Sequence, residues 1–240
     1  MPPRTVVSGD TSNAHVGSFV TAVLFGSIST LADTSEMQRQ AFNKAFQAHG
    51  LTWEWSQSEY RSLLSRNGGA QRIGDYASGQ GVTVDADAVH TTKSTIFRES
   101  LGAATVRPRP GVLETITHAR AKGHKVALVT TTSKGNVAAL LSSLRGLDAE
   151  DFDVIVDATD IDKPKPDAAA YLYALDLLGV PAAACVAIED NPGGVAAARA
   201  AGVACVAFPN VNTAGQDFSA AQQQTDAIDL ALLEQLIAQD

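Results

Sequence analysis

Sulfur is scarce in this chain: two cysteines, Cys185 and Cys205, and two methionines stand among 240 residues. Both cysteines lie in apolar, strand-like runs, which argues against a disulfide framework or a cysteine zinc site and predicts buried free thiols in reducing surroundings. Long hydrophobic runs are also missing. None approaches the roughly 18 residues of a membrane-spanning helix, and the first 20 residues lack the basic region and apolar core of a secretory leader. The expectation is a soluble, cytoplasmic protein without a membrane partner. Positive charge is in deficit, 18 Lys and Arg against 26 Asp and Glu, for a net charge of −8. That balance argues against nucleic acid as a partner, while a local basic pocket for a small phosphorylated ligand stays compatible with it. A protein partner is the other class left open.

What is present suits a sizeable core. The chain is 45% hydrophobic, enough for one large domain or a core carrying a smaller inserted one. Residues 1–18, rich in Pro, Ser, Thr, Gly and Asn without periodicity, read as a mobile tail. The run Ala22-Val23-Leu24-Phe25 then stops at Gly26 and continues as Ser27-Ile28-Ser29-Thr30. Such a run predicts a strand buried on both faces of a parallel sheet, where ligands bind beyond the strands' carboxyl ends. Yet none of Gly26, Ser27, Ile28 or Ser29 can serve as an acid, base or metal-binding carboxylate near neutral pH. The periodicity predicts helices over Thr34–His49, Ser56–Leu64 and Asp87–Ser100. With few strand-like runs between them, residues 34–103 read as a small helical insertion with an aromatic core around Trp53, Trp55 and Tyr60. From Val106 strands and helices alternate with short turns, the pattern of a doubly wound α/β sheet. The core therefore comprises residues 19–33 and 104–240.

Three strand-end loops carry candidate chemistry. Thr130 and Thr131, with Thr132 and Ser133, follow the strand Lys125–Val129 and precede a helix, offering hydroxyl and N–H groups to an anion or, equally, capping the helix. Lys163 sits between Asp162 and Pro164 in a loop stiffened by two prolines, placed to aim a charge at phosphate or simply to face solvent. Glu189 and Asp190 follow the strand Cys185–Ile188, where adjacent carboxylates suit a hard cation such as magnesium or are simply two exposed acids or a helix cap.

Taken together, the order and spacing of these loops resemble the haloacid dehalogenase-like (HAD) superfamily. Gly26 to Leu31 matches its first motif, Thr130 its second, Lys163 in Lys163-Pro164-Lys165-Pro166-Asp167 its third, and Glu189-Asp190 its fourth. Within the superfamily the chain is most similar to the CbbY-like group of sugar-phosphate phosphatases, relatives of β-phosphoglucomutase. The stretches that carry this are Arg39-Gln40-Ala41-Phe42-Asn43, Gly68-Gly69 with Arg72, Arg109-Pro110-Gly111-Val112, and Thr130-Thr131-Thr132-Ser133 with Asn136. The resemblance implies a Rossmann-like core with a helical cap, a magnesium cofactor, a phosphosugar ligand, and Arg72 and Asn136 near the substrate. It also implies a loss. The family's Phe-Asp-x-Asp-Gly-Thr-Leu places its nucleophile on Gly26 and its general acid/base on Ile28, so both catalytic carboxylates are missing. Ordinary hydrolysis is expected to be absent, magnesium to bind weakly or not at all through Glu189 and Asp190, and a phosphorylated metabolite to bind without being hydrolysed. The alternatives are a partner-binding scaffold and a phosphatase using Ser27, Ser29 or Thr30, for which the sequence places no activating histidine.

Overall fold

The structure is a computed structural model and describes residues 21–64 and 68–237; the tail expected over residues 1–18 lies outside these. In chain order the elements are β1 (Ala22–Phe25), α1 (Ile28–Leu31), α2 (Ser35–Ala48), α3 (Gln57–Leu63), α4 (Gly69–Gly79), α5 (Ala86–Gly102), α6 (Val112–Ala121), β2 (Lys125–Val129), α7 (Lys134–Ser143), β3 (Val154–Val156), α8 (Ala169–Leu178), β4 (Cys185–Glu189), α9 (Pro192–Ala200), β5 (Ala204–Ala207), β6 (Gln223–Gln224) and α10 (Leu230–Ile237). The strands form one parallel sheet in the order β3-β2-β1-β4-β5-β6. Chain order reverses between β1 and β4, so the crevice at their carboxyl ends is where such a sheet receives a ligand.

Side chains alternate across the sheet with period two and build a core on each face. Val23, Phe25, Val126, Leu128, Val186 and Ile188 point into one core, shared with α6, α7 and α10. Ala22, Leu24, Ala127, Val129, Cys185 and Ala187 point into the other, beneath α8 and α9. Cys185 and Cys205 are both buried and free.

Helices α2 to α5 contribute no strand and enclose a third apolar cluster of Phe42, Phe46, Trp55, Tyr60, Ile73 and Val89. Trp55 is fully buried, its ring edge-on to Phe46 at 4.6 Å between centroids. Asn43 fixes its backbone: the amide Nδ2 donates to Trp55 O at 3.0 Å, and Oδ1 accepts from Trp55 N at 2.8 Å. The Trp53–Trp55–Tyr60 group is thus part of the packing. Two elements differ from expectation. The strand-exit loop closes into the one-turn helix α1, because the Ser27 side chain caps it by accepting from Thr30 N at 3.0 Å. Helix α4, not among the helices that the periodicity predicts, begins at Gly69 beside the His90 ring, where a Cβ would collide with the imidazole.

Candidate active site

A cavity of about 550 Å³ lies between the carboxyl ends of the strands and helices α2, α4 and α5. The short β1–α1 connection brings Gly26, Ser27 and Ile28 to its floor, and Thr130 to Ser133 arrive from the end of β2. Arg72, Lys93 and Arg98 come from α4 and α5. Among the described residues lining it, Asp190 is the one acidic side chain, against the cations Arg72, Lys93, Arg98 and Lys165. A chain of net charge −8 has concentrated positive charge at one crevice, where low-dielectric walls focus the field.

The threonine loop, Arg72 and Asn136 all line the cavity. Thr130 is 3% exposed, and its Oγ1 accepts from Thr132 N at 3.2 Å. Asn136 donates to Thr132 Oγ1 at 3.0 Å and accepts from Arg98 at 3.3 Å, tying α5 to the loop before α7. Arg72 donates to Leu63 O at 2.9 Å and lies 5.9 Å from the Phe42 and Tyr60 ring centroids.

The lysine expected from the third loop is a correction. Lys163 is exposed and does not line the cavity; Lys165, two residues on, is 4% exposed and reaches the strand ends. Its Nζ donates to Gly26 O at 2.5 Å, Val129 O at 2.6 Å and Glu189 Oε1 at 2.6 Å. The run Lys-Pro-Lys-Pro offers two equivalent registers to a sequence reading. What selects the second is Tyr171 on the following helix, which donates to the same Glu189 oxygen at 2.8 Å.

Glu189 and Asp190 do not form the paired metal site that their adjacency suggested. Successive residues leave a strand on opposite faces, so Glu189 shares the α8 side with Cys185 and Ala187 while Asp190 turns to the cavity. Glu189 is completely buried and absent from the cavity lining. Its carboxylate is wedged against Gly26 and Gly194, where a Cβ on either glycine would overlap it. Burial raises its pKa and Lys165 opposes that rise, while Oε2 finds no hydrogen-bond partner. Asp190 accepts from Ser27 Oγ at 2.8 Å, Asn191 Nδ2 at 3.0 Å and Asn210 Nδ2 at 2.7 Å. One carboxylate already surrounded by neutral donors does not fit the oxygen-rich shell of magnesium, and no cluster of three His, Cys, Asp or Glu with metal geometry occurs among the described residues.

The sequence reading passed over Lys93. It lies on the buried face of α5 with Val89 and Phe97, 5% exposed, and donates to Gln38 Oε1. Its Nζ is 4.7 Å from the Phe42 centroid and 5.1 Å from that of Phe97. A lysine spaced i, i+4, i+8 with apolar residues was the available signal. Burial, aided by Arg72, pushes its pKa down to about 7. Because the folded value lies below the ordinary lysine value of 10.5, the charged side chain penalises folding below pH 7, and the penalty is relieved as pH rises toward 10.5. At about 1.4 kcal/mol per unit the full effect is of order 5 kcal/mol. Lys93→Met is therefore expected to be more stable than wild type near pH 6 in urea unfolding, with the difference shrinking toward pH 10.

Comparison with known proteins agrees with this geometry. The family model for haloacid dehalogenase-like hydrolases matches residues 20–202. The chain belongs to this family. Within it the chain falls in the CbbY-like group. It is 42% identical over 205 residues to Protein CbbY of Rhodobacter capsulatus, covering 83% of this chain and 90% of that protein. It is 40% identical over 211 residues to the plasmid-encoded CbbY of Cupriavidus necator, covering 83% and 82%. The crystal structure of CbbY from Rhodobacter sphaeroides in complex with phosphate superimposes with a TM-score of 0.81 at 35% identity, over 87% of this chain and 94% of that one. A mutant of that CbbY was crystallised with xylulose-(1,5)bisphosphate. The six-stranded parallel sheet with its flanking helices is thus a HAD-like α/β fold, and among the described residues no helix is long and apolar enough to cross a membrane.

Proposed function

We propose that this HAD-family chain binds a phosphorylated metabolite of the phosphosugar class and does not hydrolyse it. The observation that carries the reading is the charge of the cavity: Arg72, Lys93 and Arg98 face it with Asp190 as the one carboxylate among the described lining residues, while the charge of Lys165 is balanced by buried Glu189. Two further facts support it. Gly26 and Ile28 supply neither a nucleophile nor a proton donor, and groups of this kind that act as a unit are each commonly worth several powers of ten in rate. The CbbY relative that superimposes on this chain was crystallised with phosphate and, as a mutant, with a sugar bisphosphate. In this reading magnesium is dispensable, since Glu189 is committed to Lys165 and repulsion of the phosphate by carboxylates at positions 26 and 28 is gone.

Calorimetry with inorganic phosphate and with a pentulose bisphosphate, with and without magnesium, tests this. Micromolar-to-millimolar binding independent of magnesium is expected, of the strength a few charge-assisted contacts give, together with silence toward an aryl phosphate. No heat with any of these ligands would remove the reading. A second reading has one observation in its favour: Ser27 Oγ donates to the Asp190 carboxylate at 2.8 Å, an arrangement able to activate a hydroxyl. Turnover abolished by Ser27→Ala would select it. A partner-binding role through Ile28 has less support, because Ile28 is 4% exposed and packed in the core.

A further inference from the structure

Lys93 differs from the other cations of the cavity in what surrounds it. Lys165 is held by two carbonyls and a carboxylate, and Arg98 is tied to Asn136. Lys93 has an amide oxygen, Gln38 Oε1, as its hydrogen-bond acceptor and the faces of Phe42 and Phe97 as its walls. The basic groups near it are Arg72 from α4, which is charged, and His90 one turn earlier on α5, which burial pushes down to about 4 and so keeps neutral. An amine at an aromatic wall of a solvent-reachable cavity, with no counter-ion among the described residues, is in the environment in which lysine acts as a nucleophile toward carbonyl compounds. Its position along the helix adds a geometric argument. Arg98, which joins the threonine loop through Asn136, lies five residues further along α5, about 7.5 Å on the helix axis. A small molecule whose phosphate sits at the threonine loop can therefore carry its carbon skeleton toward Lys93.

We infer that Lys93 captures the aldehyde or ketone carbonyl of a phosphorylated ligand as an imine, a covalent step that rests on the cavity holding such a ligand. In that step the nitrogen lone pair attacks the carbonyl carbon, the C=O electron pair moves to oxygen, and oxygen takes up one N–H proton. The carbinolamine then loses its hydroxyl with the second N–H proton as water, leaving C=N. No oxidant or reductant is consumed, and water reverses the reaction.

The experiment uses the full chain with pyridoxal 5′-phosphate, an aldehyde bearing a phosphate, at pH 8, followed by borohydride reduction and peptide mapping. At that pH an amine of pKa near 7 has a neutral fraction about two hundredfold larger than an exposed lysine's. Reduced adduct is expected at Lys93 at least about tenfold ahead of exposed Lys134 and Lys163, suppressed by excess inorganic phosphate and absent in Lys93→Arg. The map is read on wild type, so it does not depend on a variant folding. Label distributed over exposed lysines and missing from Lys93, while calorimetry still shows phosphate binding, overturns the inference and leaves the binding reading standing. Label at Lys93 that phosphate does not suppress, with no phosphate heat, overturns the phosphorylated ligand class and hence the binding reading itself.

Discussion

Gly26→Asp is expected to destabilise the protein and to leave it inactive, although it restores the residue at which the family carries its nucleophile. The backbone does not forbid a side chain there, since Gly26 is not among the glycines with positive φ. The obstacle is spatial: the first side-chain atom would overlap the Glu189 carboxylate, which is itself held by Lys165, Tyr171 and the neighbouring Gly194. Overpacking of this kind costs about 1–3 kcal/mol, and a second carboxylate competing for one lysine adds like-charge repulsion. A loss of about 3 kcal/mol, read as a lower urea midpoint at unchanged slope, is the expected outcome. Gly26→Asp combined with Glu189→Ala should recover most of it, because one carboxylate again faces Lys165; the coupling in that double-mutant cycle should exceed about 1 kcal/mol. A Gly26→Asp protein as stable as wild type would show that Glu189 leaves its place at little cost. Turnover by the single variant would show in addition that the lost carboxylate alone had silenced the site.

Lys165→Ala should be the most damaging single truncation at the strand ends, and Lys163→Ala should be silent. Lys165 and Glu189 are 4% and 0% exposed in their side chains and 2.6 Å apart. Removing one member of such a pair leaves a buried group uncompensated, typically at about 3–5 kcal/mol, and here two carbonyl oxygens lose their donor as well. Exposed Lys163 has no such role, and its truncation should stay within about 0.5 kcal/mol in stability and leave phosphate affinity unchanged by calorimetry. Lys165→Met with Glu189→Gln should be milder than Lys165→Ala alone, since the unpaired charge is removed. If Lys163→Ala were the disruptive change, the assignment of the buried ion pair to Lys165 would fail.

Much of the fold was legible because it depends on patterns a linear reading can detect. The runs Ala22–Phe25 and Lys125–Val129 are strands with the expected bounds, since residues buried on both faces of a sheet leave little choice of side chain. The absence of carboxylates at Gly26 and Ile28 was equally plain, because it is a statement about residue identity. The sequence by itself determined the fold class, the acidic balance and the lack of a carboxylate at positions 26 and 28. Only the tertiary structure decided which charges meet. Adjacency on the chain suggested that Glu189 and Asp190 act together, but strand alternation sends them to opposite sides. Repetition hid the choice between Lys163 and Lys165, which depends on Tyr171 from one helix and Glu189 from a strand twenty-four residues away. Gly26 showed as an empty place in a motif, yet in three dimensions that place is filled by Glu189. Contacts between distant segments follow from packing, and packing has no period that a single sequence displays.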